Sequence, residues 1–198
     1  MTLSIPEGNF EGTIFDCDGT LVDSMPLHYR AWIASMEHHK CPWTWSEDLF
    51  YKSAGRPEPD IVNELNVEYG ASIDAISVHD WKAEWFKKHL HELSAVEAVA
   101  DIVRDLYAKG HPISVATGSE LSVVELELKH IGLWEYFDII VTPADVENGK
   151  PAPDMFLLAA EKMGIAPEKC LVYEDGQAGI DGAVAAGMAT VFVPSRGV

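Results

Sequence analysis

The sequence predicts an α/β fold of three layers, a parallel sheet flanked by helices, interrupted early by an all-helical insertion. Three observations lead there. Short apolar runs alternate with helix-period stretches through the second half of the chain. A similar apolar run, residues 12–15, lies near the N-terminus and ends at Asp16. Between them, residues 24–94 show no clear strand but contain five of the six tryptophans.

The elements follow in order. Residues 12–15 (GTIF) make the first strand and run into FDCDGT. The insertion carries helical stretches at 26–38 and 78–93, and its tryptophans are expected to form a small core of their own. Residues 96–109 (VEAVADIVRDLYAK) have apolar positions at helical spacing, with Gly110 as a stop. Residues 113–116 form a short strand ending at Thr117-Gly118. A helix over 120–131 stops at Gly132, and 138–142 (DIIVT) is the next strand. Residues 153–163 are helical, with proline at the start and Gly164 after the end. The strand 170–173 runs into Glu174-Asp175. A small-residue helix at 177–186 ends at Gly187, and 189–193 is the last strand. Strands separated by helices of this length form parallel sheets covered on both faces. The sequence thus divides into a core, 1–23 with 95–198, and an inserted helical domain, 24–94.

Charge narrows the function. The 198 residues include 32 acids and 14 Lys or Arg, a formal charge of −18. Nucleic-acid binding needs clustered cations, and an anionic membrane surface would repel this chain, so neither partner is expected. An anionic substrate would need local attraction from a metal ion or a few placed cations. The three cysteines, Cys17, Cys41 and Cys170, form no CxxC pair, which points to reduced thiols and a cytoplasmic protein.

Ligands of open parallel sheets bind beyond the carboxyl ends of the strands. Asp16 and Asp18 follow the first strand, Thr117 the second, Lys150 the third after a short interval, and Glu174 with Asp175 the fourth. Carboxylates converging there would repel one another unless a cation intervened, and all-oxygen ligation favours magnesium. Lys150 supplies positive charge, while Thr117 and neighbouring backbone N–H groups, at Gly118 and Ser119, can hold phosphate oxygens.

These motifs, FDxDGT, a threonine ending the second strand, a lysine before PAPD and an acidic pair ending the fourth, resemble the haloacid dehalogenase superfamily. The stretch from Lys150 to Met188 resembles its branch of β-phosphoglucomutases and small sugar-phosphate phosphatases. The resemblance implies a Rossmann-like core with a helical cap where the insertion stands. It implies that Asp16 attacks phosphorus and that Asp18 serves as general acid and base. Magnesium would be held by Asp16, the backbone carbonyl of Asp18, and Asp175, with Glu174 near or in the shell. Thr117 and Lys150 would stabilise the transferring group.

The same resemblance gives His28, within LHYRAW, an approach to the substrate. It makes Gly55-Arg56 part of a specificity loop, with Arg56 meeting a sugar hydroxyl or distal phosphate. Plainer roles fall to the other conspicuous residues: Cys17 to core packing, His38-His39 and Lys87-Lys88 to solvent-facing surface.

The expected activity is magnesium-dependent hydrolysis of small sugar phosphates by a monomer. A β-phosphoglucomutase-type mutase is the alternative, although Thr20 stands where mutases commonly have valine. A non-catalytic binding module is a third reading, weakened because no expected catalytic residue is missing. Asp18 argues against dehalogenase and phosphonate hydrolase chemistry.

Overall fold

A computed structural model describes residues 3–53 and 56–194. The chain forms two compact units, Met1–Ser24 with Leu93–Val198, and Met25–Glu92.

The first unit is built on five parallel strands: β1 (Gly12–Phe15), β2 (Ile113–Ala116), β3 (Ile140–Val141), β4 (Cys170–Glu174) and β5 (Ala189–Phe192). Their order across the sheet is β3-β2-β1-β4-β5, so β1 is central and paired on both sides. Phe15 lies opposite Val115 in β2 and Tyr173 in β4, which brings three strand ends level. All residues of β1, β2 and β4 are buried, as expected where helices cover both faces of a sheet.

Because strand side chains alternate, Ile14 and Phe15 belong to opposite faces. Ile14, Ala116 and Val172 pack with Met155, Phe156 and Ala159 of helix Asp154–Met163 and with Ala183 of helix Gln177–Ala185. On the other face Phe15 stacks on Tyr173 and meets Phe137 edge-on. Helix Glu97–Ala108 packs against β2 through a strongly amphipathic surface that buries Val99, Ala100 and Val103. The core strands therefore fall where the apolar runs predict. β3 is shorter than 138–142, because Pro143 opens a 3-10 turn held by a Thr142–Asp145 capping box.

The second unit is helical: α1 (Met25–His38), α2 (Glu47–Lys52), α3 (Glu58–Tyr69) and α4 (Ala75–Lys88). Its core joins Trp32, Met36, Trp43, Ile61, Val62, Leu65 and Val78, with Trp45 against it. Sequence periodicity locates α1 but misses α2 and α3, and it shifts α4. That helix starts at Ala75 because Asp74 caps it, accepting from the N–H groups of Ile76 and Ser77. It ends at Lys88, and the chain continues as a 3-10 turn, Leu90–Glu92. No helix among the described residues is long and apolar enough to cross a membrane.

Candidate active site

The predicted polar residues of the first unit gather beyond the carboxyl ends of β1, β2 and β4. Asp16 directly follows β1, fixed by its own N–H, which donates to the Tyr173 carbonyl at 3.0 Å. Its side chain is buried, and Oδ1 accepts from Lys150 Nζ at 2.5 Å. The same ammonium donates to Glu174 Oε1 at 2.6 Å. Glu174 is thereby fully engaged, because its Oε2 accepts from the Gly176 N–H at 2.6 Å. Glycine at 179 makes this possible, since a Cβ there would meet Glu174 Oε1 at 1.7 Å.

Asp175 completes the group. Thr20 Oγ1 donates to its Oδ1 at 3.4 Å. Gly19, at φ +80°, lets the backbone approach so closely that a Cβ would stand 2.1 Å from Asp175 Oδ2. Oxygens of Asp16, Glu174 and Asp175 all lie within 4.8 Å of one another.

Three carboxylates face one ammonium, and the electrostatics show the imbalance. Burial would lower the pKa of Lys150, but Asp16 and Glu174 outweigh it and raise it. Asp16 is pushed well above the ordinary carboxylate range, first by burial, against the pull of Lys150, then by Glu174 and Asp175. Asp175 is pushed up to about 7 by burial and by the charges of Glu174 and Asp18. A further cation would relieve this strain. The donor set is carboxylate oxygen throughout, which suits a hard divalent ion, so the residues present fit such a cofactor.

Asp18 is held separately. Its Oδ1 accepts from Ser24 Oγ and its Oδ2 from Ser119 Oγ, each at 2.6 Å. Thr117 is buried at the end of β2, and its Oγ1 accepts from the Ser119 N–H at 3.1 Å, which shapes the turn. Gly118 is exposed. Ser119 thus serves a neighbouring carboxylate with its hydroxyl, a role the sequence did not indicate.

In the helical unit, His28 stacks on Phe86 with ring centroids 4.0 Å apart, and Lys82 Nζ lies 3.3 Å from its Nδ1. Arg56 is exposed and pairs with Glu64 at 2.5 Å; Gly55 lies outside the described residues. His39 corrects its expected solvent-facing role: it is half-buried, with Nδ1 2.8 Å from the Ser35 carbonyl and Nε2 3.0 Å from Ser77 Oγ.

A profile of haloacid dehalogenase-like hydrolases matches residues 13–193. The chain belongs to that family. Among haloacid dehalogenase-like relatives, fructose-1-phosphate phosphatase of Escherichia coli is 35% identical over 184 residues, covering 93% of this chain and 96% of the relative. A phosphorylated carbohydrates phosphatase of Thermotoga maritima is 31% identical over 186 residues, covering 92% and 84%. The crystal structure of CbbY from Rhodobacter sphaeroides in complex with phosphate superposes with a TM-score of 0.79 at 25% identity, covering 91% of this chain and 84% of that one.

Within this haloacid dehalogenase-like site, two residues escape the sequence reading. Ser24 becomes visible only once the chain folds back onto Asp18. Glu127, on helix Leu121–His130, is fully buried beside Cys17, whose Sγ lies 3.7 Å from its Oε2. One signal was available: Glu127 shares the inward face of that helix with Val124 and Leu128. Cys17 packs in the core, and burial followed by the nearby Glu127 raises its thiol well above the usual range, which makes it a poor nucleophile.

Proposed function

We propose that this protein is a magnesium-dependent phosphatase of small sugar phosphates that works through an aspartyl-phosphate on Asp16. The observation that carries the reading is the Lys150 ammonium held between Asp16 and Glu174, with Asp175 adjacent, at the end of the central strand. The sugar-phosphate and phosphorylated-carbohydrate phosphatases among its relatives support the substrate class.

Asp16, the backbone carbonyl of Asp18, and Asp175 would hold the magnesium, with Glu174 at its edge. When bound, the ion supplies positive charge that screens the phosphoryl group and the carboxylates from one another. Asp16 is the nucleophile: a carboxylate oxygen bonds to phosphorus as the bond to the sugar oxygen breaks. Asp18 gives its proton to that departing oxygen. It then takes a proton from a water molecule, which attacks phosphorus, releases inorganic phosphate and restores Asp16. Lys150 orients Asp16 and offsets charge on the phosphoryl oxygens, which the turn Thr117–Ser119 helps hold. The same reading makes residues 24–94 a cap and assigns substrate contacts to its His28 and Arg56.

The test is incubation with magnesium and a panel of hexose, pentose and short-chain phosphates, measuring inorganic phosphate and isomeric sugar phosphates. Phosphate release from one or a few sugars, abolished by EDTA, is expected. Conversion of glucose 1-phosphate to glucose 6-phosphate with little free phosphate would replace this reading by the mutase. Magnesium binding with neither product would make the protein a binding module.

A further inference from the structure

Glu127 occupies a position where the apolar repeat of its helix, through Val124 and Leu128, asks for a hydrocarbon side chain. It is fully enclosed. Its Oε2 takes the weak Cys17 thiol contact, its carboxyl also interacts with Asp18, and among the described residues its Oε1 is sealed from solvent without a hydrogen-bond partner. A buried carboxyl oxygen left in this state destabilises a fold, and a leucine would avoid the cost. Groups of this kind in native proteins call for an explanation.

The explanation lies in a neighbour. Oxygens of Glu127 and Asp18 lie within 4.8 Å of each other. Two hydroxyls that hold Asp18, from Ser24 and Ser119, reach one oxygen each, and Glu127 adds a further polar group beside that carboxyl. We propose that Glu127 is a positioning residue for Asp18, fixing the orientation in which that carboxyl meets the departing sugar oxygen and the incoming water. This rests on the phosphatase reading of Asp18. Burial, followed by the charge of Asp18, raises the pKa of Glu127 well above the ordinary carboxylate range. The role requires no change in its protonation.

The full chain carrying Glu127→Leu or Glu127→Gln tests this, with fructose 1-phosphate and p-nitrophenyl phosphate as substrates in magnesium. Glutamine is neutral and keeps a donor and an acceptor, so E127Q should retain a kcat close to that of the unsubstituted protein. E127L should lose about 10- to 100-fold in kcat on fructose 1-phosphate, part of what general acid–base catalysis contributes, with KM unchanged. Its Tm should be equal or higher, since an idle buried oxygen is gone. On p-nitrophenyl phosphate, whose phenolate leaves without a proton, E127L should show a burst of one phenolate per site followed by slow turnover. An unchanged kcat in E127L, an equal loss in E127Q, or a loss that follows a fall in Tm would overturn the proposal. If the unsubstituted protein frees no phosphate from either compound, the phosphatase reading fails first. The crystal structure of E127L then decides the positioning: Asp18 turned away from Ser24 and Ser119 supports it, and Asp18 unmoved refutes it.

Discussion

Lys150 Nζ lies 2.5 Å from Asp16 Oδ1, both side chains buried, so Asp16 carries its counter-charge before any substrate arrives. Lys150→Met would leave Asp16, Glu174 and Asp175 without their ammonium. Breaking a buried pair on one side typically destabilises by about 3–5 kcal/mol, and this cost should appear in denaturant unfolding of the EDTA-treated protein. Turnover should fall by at least ~100-fold, the scale of a lost electrostatic stabiliser.

The two aspartates should fail differently. If Asp16 is the attacking group, Asp16→Asn should abolish phosphate release with no labelled protein trapped. Asp18→Asn should still permit some labelled phospho-protein to form while turnover slows by about 100-fold or more. Acid-quench trapping with radiolabelled substrate separates them, and equal labelling of the two variants would contradict the assignment.

Stability should depend on pH through Asp175. Its folded value, about 7, stands above the ordinary 3.8 because of burial and its acidic neighbours. A raised carboxyl pKa means that the fold favours the protonated form. Its contribution is fully present below the ordinary value and is lost as pH rises through about 7. The metal-free protein should therefore lose Tm between about pH 4 and pH 7, other groups being equal. Magnesium needs the deprotonated carboxylate, so it should raise Tm more at pH 8 than at pH 5.5, as read by differential scanning calorimetry.

Gly179→Ala reverses the usual expectation for a helix. Alanine is favoured over glycine in helix interiors by roughly 1 kcal/mol. Here the new Cβ would collide with Oε1, Cδ and Cγ of Glu174, at 1.7, 2.1 and 2.7 Å. That side chain cannot simply swing away, because Lys150 and the Gly176 N–H hold both of its oxygens. Net destabilisation of about 1–3 kcal/mol is expected, with a parallel loss of activity; a rise in Tm would count against this packing.

In the helical unit, Glu58 accepts from Lys82 and lies 2.9 Å from His79 Nδ1. Burial would raise its pKa, yet Lys82 and His79 bring it down to about 2. A lowered carboxyl pKa contributes stability above pH 4.5 that is lost as pH falls through about 2. Glu58→Gln leaves the buried Lys82 without its carboxylate. Since Glu58 is part-exposed, the loss at neutral pH should be about 1–2 kcal/mol, below that of a fully buried pair. The variant's denaturation midpoint should change less than the parent's on acidification.

The sheet was legible in the sequence because β1, β2 and β4 are covered on both faces and so read as continuous apolar runs. The candidate site followed from it, since Asp16, Thr117 and Asp175 lie one step beyond those runs. Helix α2 left no trace, because it is six residues long and buries none of them. Helix α3 contributes only Ile61, Val62 and Leu65 to its core, too few for a clear stripe. Ser24 and Glu127 were missed for another reason, as was the use of the Ser119 hydroxyl, a residue the sequence offered only as a phosphate contact. Each lies beside Asp18 only in three dimensions, and an acid on a helix is ordinarily a solvated face. Glu174 shows the same limit, because only the structure reveals both of its oxygens already occupied.

The central place of β1 also governs where this chain tolerates changes of length. Two registers hold it, one to β2 and one to β4, and Asp16 follows its last residue directly. Adding or removing one residue inside Gly12–Phe15 would exchange the faces taken by Ile14 and Phe15 and carry Asp16 out of reach of Lys150. A residue gained at the exposed positions 109–110, after helix Glu97–Ala108, would leave both registers of β1 as they are. Lineages descending from this sequence should therefore vary freely in their connections while the spacing from Gly12 to Asp18 stays constant.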